Sequence, residues 1–390
     1  MNEASPQVNT KEIPAPKVSL IVPMYNCEDY VEPLLDNLCG QDFYDIEIIC
    51  VDDGSKDGTL AALESYAKKD SRIRILHQKH KNAGAARNYG ISEAKGEYLM
   101  FPDADDEYSH NYISRMYEAI DSNNADLAIC QFTCIDYRNK TEKKYMAYDC
   151  LFSPKDKAIP PESIRDAIKV IENYPHNKIF RKEMVMSASL HFSETDSLND
   201  FFFSSAALLS ANSVVIISDH LYNYRVYANP KSISSHRDKN LSDMLSVTRE
   251  LFEWLRDKGL YERNRRAYLR KWNASFHSYA ARCSREEFAR DIVDELTKKE
   301  PWRNMSDREL RYYALIYTGV PRRFKKNINQ SLLSGLEEAN IKEVRRILSE
   351  EYGKNMGRDS YLTMRFAQIR QAGLVGTLEI IYRKLKNQRL

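Results

Sequence analysis

The chain has 390 residues, of which 43% are hydrophobic and 29% charged, an ordinary globular composition. Its net charge of +2 hides a split: residues 1–235 carry 25 Lys and Arg against 35 Asp and Glu, a balance of −10, and residues 236–390 carry 33 against 21, a balance of +12. An acidic front and a basic rear point to different partners, with an anionic surface suiting the rear.

The seven cysteines are odd in number and include no Cys-x-x-Cys pair. That pattern argues against a disulfide framework or a zinc site and for a reducing compartment. No stretch approaches the ~20 apolar residues that a membrane helix needs. The opening "MNEASPQVNTKEIPAPK" lacks the basic-then-apolar order of a signal peptide and reads as a flexible polar tail over residues 1–16.

After the tail, "VSLIVP" (18–23) reads as a buried strand, ended by Pro23 and followed by Tyr25, whose ring face can stack on a planar base. "YVEPLLDNLCGQ" has helical spacing, and "IEIICVDD" (46–53) is a second strand running into Asp52, Asp53 and Gly54. Carboxylates at a strand end accept hydrogen bonds from a nucleobase N–H or ribose hydroxyls. Turn and cap chemistry is the alternative, and it accounts for Gly54 and Asp57. "TLAALESYAKKD" continues as a helix and "RIRILH" (72–77) as a third strand. In "NAGAARNYGISEAKG" the small residues around Arg87 allow a close approach to the backbone. Arg87 then either pairs with phosphate or sits exposed on a helix packed against the sheet.

"EYLMFPD" (97–103) leads an apolar strand into Asp103, Asp105 and Asp106. Two carboxylates ~6 Å apart at an effective dielectric near 20 repel by roughly 3 kcal/mol. If strand geometry persists through Ala104, Asp103 and Asp105 face the same side, where Mg²⁺ or Mn²⁺ would offset the repulsion. Solvation, or the N-terminus of the following helix "YISRMYEAIDSN", would also offset it. "DLAICQF" (126–132) is a fifth strand. Strand alternating with helix predicts a mostly parallel sheet covered on both faces, with ligands bound beyond the strands' carboxyl ends.

From about 160 to 235 the pattern is mixed. Asp200 in "SLNDFFFSSAALL" opens an apolar helical run, either as a first-turn helix acid or as a general base. In "YNYRVYANPKSISSH", Arg225, Lys231, Ser232, Ser234 and His236 form either a loop closing on an anionic leaving group or a solvated basic loop. Beyond residue 236 the spacing is helical. The segment "MRFAQIRQAGLVGTLEIIYRKLKNQRL" would lie on an anionic membrane or pack on its own domain. No Gly-x-Gly-x-x-Gly fingerprint or Walker loop appears, which argues against an NAD enzyme or an ATPase.

In this order, "VSLIVPMYN", "IEIICVDDGSKDGT", "NAGAARNYGISEAKGEYLMFPDADD", "NKIFRK", "NDFFF" and "YNYRVYANPKSIS" resemble the inverting glycosyltransferases of family 2. The resemblance implies a GT-A fold, Rossmann-like with helices on both faces, over residues 17–235, and a basic, mainly helical region over 236–390. It implies that Pro23, Tyr25, Asp52 and Asp53 surround a nucleoside, most often uridine, with Arg87 near the nucleotide and Asp103 near the ribose. Asp105 would hold a divalent metal, Mn²⁺ or Mg²⁺, and Asp200 would be the catalytic base. Lys178, Arg225, Lys231 and Ser232 would contact the diphosphate or the acceptor. The implied partners are a nucleotide-sugar donor and a glycan or lipid-linked acceptor, with no nucleic acid. The expected setting is cytoplasmic, with peripheral contact at the inner face of the membrane.

Two departures bear on acceptor identity: Asn199 precedes Asp200 where Glu is usual, and His176 precedes the Asn-Lys pair where Trp is common. A GT-A-like module that binds nucleotide or glycan without turnover is the rival from another class. It has no reason to keep Asp103, Asp105 and Asp200 together. A pyrophosphorylase would carry a glycine-rich loop where Pro23-Met24-Tyr25-Asn26 stands, and a receiver domain would carry its paired acids there.

Overall fold

The computed structural model describes residues 15–145, 156–168, 171–226 and 241–280. In chain order these form β1 (Val18–Met24), α1 (Glu28–Cys39), β2 (Ile46–Asp52), α2 (Thr59–Ala67), β3 (Ile73–His77), α3 (Ala83–Glu93), β4 (Tyr98–Met100), β5 (Glu107–Tyr108) and α4 (Tyr112–Ser122). Then follow β6 (Leu127–Asp136), β7 (Thr141–Tyr145), β8 (Ala158–Ile159), α5 (Pro161–Ala167), β9 (Lys178–Arg181), α6 (Lys182–Ser187), α7 (Asn199–Ser210), β10 (Val214–Val226), α8 (Leu241–Asp257) and α9 (Tyr261–Ala280).

The strands form one sheet in the order β3-β2-β1-β4-β9-β6-β10-β5, with β7 on β6 and β8 on β10. β1, β2, β3 and β4 are parallel neighbours, as are β6 and β10. β9 runs against both β4 and β6. Chain order reverses at β1, which has β2 on one side and β4 on the other, so a crevice opens beyond the carboxyl ends of these strands. Because β9 is antiparallel, its amino end lies at that same edge.

Each central strand is buried on both faces, which explains apolar runs without polar alternation. Alternate residues still divide between two cores. Ile21, Ile49, Val51 and Leu99 meet α3, α5, α7 and the C-terminal helices. Leu20, Val22, Ile48, Cys50 and Met100 meet α1, α2 and α4. In α1 the buried residues Val31, Leu34, Leu35 and Leu38 recur at helical spacing. α7 differs: Phe201 to Leu209 are buried all round, so only its first turn reaches the sheet edge.

α8 and α9 extend the first core rather than standing apart, with Leu251, Leu255, Tyr268 and Trp272 buried in it. Among the described residues no helix is long and apolar enough to cross a membrane. The N-terminal tail up to residue 14 and the basic segment after residue 363 lie outside the described residues.

The small residues of α3 have separate packing reasons. A Cβ at Gly90 would stand 2.3 Å from Ile21 Cγ2 on β1, and a Cβ at Gly84 would stand 2.2 Å from the Ser193 carbonyl and 3.1 Å from Asn199 Cβ. The backbone contact at Gly84 cannot yield by a rotamer change. Gly84→Ala is therefore expected to destabilise by about 2 kcal/mol in urea unfolding, although alanine alone favours a helix by about 1 kcal/mol.

Candidate active site

Four chain segments converge at the carboxyl edge of the sheet. The first follows β1 and β2. Tyr25 is 40% exposed and its ring stacks on His80 at 3.8 Å, so an aromatic surface faces the crevice. Asp52 and Asp53 lie beneath it, both buried. Asp52 takes a hydrogen bond from the Ser55 amide and sits 2.7 Å from His77 Nδ1. Asp53 accepts from Gln78 Nε2 at 2.7 Å and from the Lys81 amide at 2.9 Å, and meets His80 Nδ1 at 2.9 Å. The half-exposed imidazoles of His77 and His80 are thus the surface that these two acids present. Pro23 is partly buried at the end of β1.

The second segment is the acidic turn. The strand expected through Asp103 ends at Met100, and the Asp106 amide reaches back to the Asp103 carbonyl at 3.5 Å. A turn, not a strand, therefore sets the spacing, and it brings together residues three apart, Asp103 and Asp106. Asp105 reaches solvent while Asp106 is buried. Tyr222 donates to Asp106 Oδ2 at 2.8 Å and the Arg225 amide donates to Oδ1 at 3.1 Å. The Arg225 guanidinium donates to the Asp105 carbonyl at 2.9 Å. These contacts follow from the β5–β10 register, in which Tyr108 pairs with Tyr222.

Arg87 on α3 joins this turn to the third segment. Only 5% exposed, it donates from Nη2 to Asp103 Oδ1 at 2.6 Å and from Nη1 to Asn199 Oδ1 at 3.0 Å, with its guanidinium 5.1 Å from the Phe192 ring. Asn199 opens α7, and Asp200 follows it in the first turn. Leu198 before them has φ +57°, a left-handed conformation unusual for a branched residue and costly unless enforced. It turns the chain into α7, which begins at Asn199.

The fourth segment begins β9. His176 is buried, and its Nδ1 stands 2.9 Å from Asp103 Oδ2. Lys178 differs from its expected role at the diphosphate: it is fully buried, with Nζ donating to the carbonyls of Glu172 and Tyr174 and to Asn177 Oδ1. Lys271 of α9 is buried nearby on the carbonyls of Ile168 and Ile171. Burial lowers Lys178 to about 7, with Lys271 adding to the shift and Glu172 and Asp200 opposing it. Burial lowers Lys271 to about 8 against the pull of the same two acids. Both buried lysines thus lie near enough to Asp200 to feel its charge. Lys231, Ser232, Ser234 and His236 lie outside the described residues.

The three acids of the turn titrate differently. Burial would push Asp103 up, but the charges of Arg87 and His176 outweigh it and hold the carboxyl well below the usual range. Asp105 is raised, first by the protein packed around it and then by the charge of Asp103. Asp106 is raised strongly by burial, then by Asp105 and Asp103. Among the described residues, Asp103, Asp106 and His176 each present a ligand atom within 4.8 Å of the others. One carboxyl raised by burial and its acidic neighbours, a second held ionised beside Arg87, and a buried imidazole offer oxygen and nitrogen donors of the kind a divalent cation takes.

The sequence reading missed His77, His80, Tyr222 and the role of His176. Asp52–His77 and Asp53–His80 are 25 and 27 residues apart, and His176–Asp103 is a pairing across β4 and β9. The sole signal was His176 in a position where Trp is common.

The sequence model described as glycosyl transferase family 2 matches residues 19–187. The chain is 34% identical over 219 residues to the putative glycosyltransferase EpsH of Bacillus subtilis, covering 54% of this chain and 61% of EpsH. It is 32% identical over 214 residues to the glycosyltransferase GlyG of Streptococcus pneumoniae, covering 53% of this chain and 70% of GlyG. The chain thus spans less than two thirds of EpsH. Among solved structures, Staphylococcus aureus TarS 1–349 in complex with UDP-GlcNAc aligns with a TM-score of 0.61 at 21% identity, over 83% of this chain and 93% of that one. That likeness confirms the GT-A fold.

Arg87→Ala should destabilise the protein by about 3 kcal/mol, because it strands Asp103 without its cation. The folded pKa of Asp103 is depressed, so its contribution is present at neutral pH and is lost as pH falls below about 4. Urea unfolding at pH 7 and pH 3 should show a smaller difference between wild type and variant at the lower pH.

Proposed function

The chain belongs to glycosyl transferase family 2, and from that membership we propose that it moves a sugar from a nucleotide-sugar donor to a hydroxyl of a glycan or lipid-linked acceptor, inverting the anomeric carbon. The observation that carries this reading is the meeting of the acidic turn and the first turn of α7 through the two arms of Arg87.

The donor's base stacks at Tyr25, within reach of the rim formed over Asp52 and Asp53. Its diphosphate lies toward the acidic turn and Arg225, with Lys231 and Ser232 as further contacts. A uridine donor is supported by TarS, which is 28% identical over 223 residues, is named for poly(ribitol-phosphate) β-N-acetylglucosaminyl transfer, and has been solved with UDP-GlcNAc. Bacterial surface polymers are the acceptor class that follows.

Asp200 accepts the proton of the acceptor hydroxyl as that oxygen bonds to the anomeric carbon from the face opposite the diphosphate. The bond from the anomeric carbon to the leaving oxygen breaks, and its electron pair departs with the nucleoside diphosphate. One in-line displacement inverts the configuration, and no covalent sugar–enzyme intermediate forms. The guanidinium of Arg87 holds Asp103 and Asn199 in register, so donor side and base side are positioned together. Asp105, to which the family resemblance points, or the neighbouring Asp103 and Asp106 would hold Mn²⁺ or Mg²⁺, which would supply positive charge toward the diphosphate.

Calorimetric titration with UDP, GDP and dTDP, in Mn²⁺ and then in EDTA, tests the donor side. Metal-dependent binding of UDP is expected, and no nucleotide binding by the folded protein would contradict the reading. Asp200→Asn should lower transfer by about 10²- to 10⁴-fold with UDP affinity unchanged to within about twofold. Survival of transfer in that variant would show that another group is the base.

A further inference from the structure

The segment from Ala188 to Leu198 carries the chain from α6 into α7 and lies just beyond residues 19–187, where the family model matches. Two of its residues, Ser189 at φ +56° and Leu198 at φ +57°, are left-handed without being glycine. Such a backbone persists only where its surroundings enforce it. One side of that enforcement is α3: Asn88 donates to the Phe192 carbonyl at 2.8 Å and accepts from the Phe192 amide at 2.7 Å.

The other side is α8. Lys258, just past its end, donates to Ser189 Oγ at 3.2 Å, and the Trp254 indole N–H donates to the Ala188 carbonyl at 2.9 Å. Glu250 Oε2 accepts from the Ser193 hydroxyl, and its Oε1 stands 2.7 Å from His191 Nε2. Asp243 Oδ2 accepts from both the Ser197 amide and the Ser197 hydroxyl, each at 2.9 Å. Residues 243, 250 and 254 are seven and four apart, which puts them on one face of the helix. The helix is itself anchored, with Leu251 and Leu255 buried in the core. Apolar burial has no direction and would let the segment slide along α8. Hydrogen bonds to carboxylates are directional and stronger than neutral ones, and here they hold two buried serines.

This brace ends at the first turn of α7. The Ser197 bonds fix the residue immediately before left-handed Leu198. The Phe201 amide donates to the Leu198 carbonyl and the Ser193 amide to the Asn199 carbonyl, both at 3.0 Å. Asp200 is the next residue. We infer that α8 is a strut for the transfer reaction, with Asp243 and Glu250 as positioning residues that set the pose of Asn199 and Asp200 through Ser193 and Ser197. The inference rests on the proposed transfer only for the role given to Asp200.

Full-length wild type is compared with Asp243→Ala, Glu250→Ala and the conservative Asp243→Asn and Glu250→Gln, with folding checked by circular dichroism. Hydrogen exchange followed by mass spectrometry reads residues 193–203, and UDP release from UDP-GlcNAc, with water as acceptor, reads turnover. The alanine variants should speed exchange over 193–203 by about tenfold or more while β1 and β2 exchange as in wild type. Their kcat for UDP release should fall at least about tenfold with KM within about twofold, because a displaced base loses rate and not donor binding. The Asn and Gln variants keep an acceptor oxygen and should recover most of both losses. Ser193→Ala and Ser197→Ala, which remove the hydroxyl contacts and leave α8 intact, should act in the same direction and serve if an alanine variant on α8 does not fold. Unchanged exchange over 193–203, or faster exchange with kcat unchanged, would overturn the inference. A wild type that releases no UDP counts against the donor reading alone, and the exchange rates then decide whether α8 holds the turn that carries Asp200.

Discussion

A guanidinium buried between the end of one strand and the start of one helix holds the site together. Arg87 is 5% exposed, and a cation so placed must be paired and hydrogen-bonded or be unstable. It meets both needs with one planar group, giving one arm to Asp103 and the other to Asn199 over the Phe192 ring. Lysine, with a single point charge on a flexible stem, has no equivalent fork. The small residues around it serve the same contact. Without Gly84 against the Ser193 carbonyl, α3 would stand too far from α7 for Arg87 to span the gap. Asn199 also matters for what it lacks: a neutral acceptor completes the bridge without adding a fourth acid to Asp103, Asp105 and Asp106.

Electrostatics then divides the crevice. Three carboxylates crowd one turn, and burial raises Asp106 while Arg87 and His176 depress Asp103. On the other side, Lys178 and Lys271 are buried near enough to Asp200 to feel its charge, held mainly by carbonyl oxygens. Lys271 belongs to α9, and the match to the family ends at residue 187, before Asp200. The helices that follow the sheet therefore pack in the same core as α7. Trp272 and Tyr268, buried in the same core as α7, fix that helix against the domain.

Much of this was legible in the sequence where the signal was local. The strands at Val18, Ile46 and Ile73, and the helices between them, announce themselves by apolar runs and helical spacing over short windows. The acidic turn was legible as composition, while its geometry was left conditional on a strand persisting through Ala104. The strand stops at Met100, and a turn brings Asp103 and Asp106 together. Lys178 was expected at the diphosphate or the acceptor because the family resemblance implies it; on β9, antiparallel between β4 and β6, that side chain is buried. His77, His80 and His176 were illegible for one reason. Each finds its carboxylate across strands, and no one-dimensional pattern records which strands are neighbours.

The claim that Arg87 couples the acidic turn to the first turn of α7 is most directly tested by a double-mutant cycle on unfolding free energy. Asp103→Asn and Asn199→Ala are made singly and together, first with Arg87 present and then in an Arg87→Met background. With Arg87 in place the two substitutions should depart from additivity by about 1 kcal/mol, and in Arg87→Met they should add to within about 0.5 kcal/mol. Additivity in both backgrounds would mean that the two ends of the bridge are independent, and the account would fail.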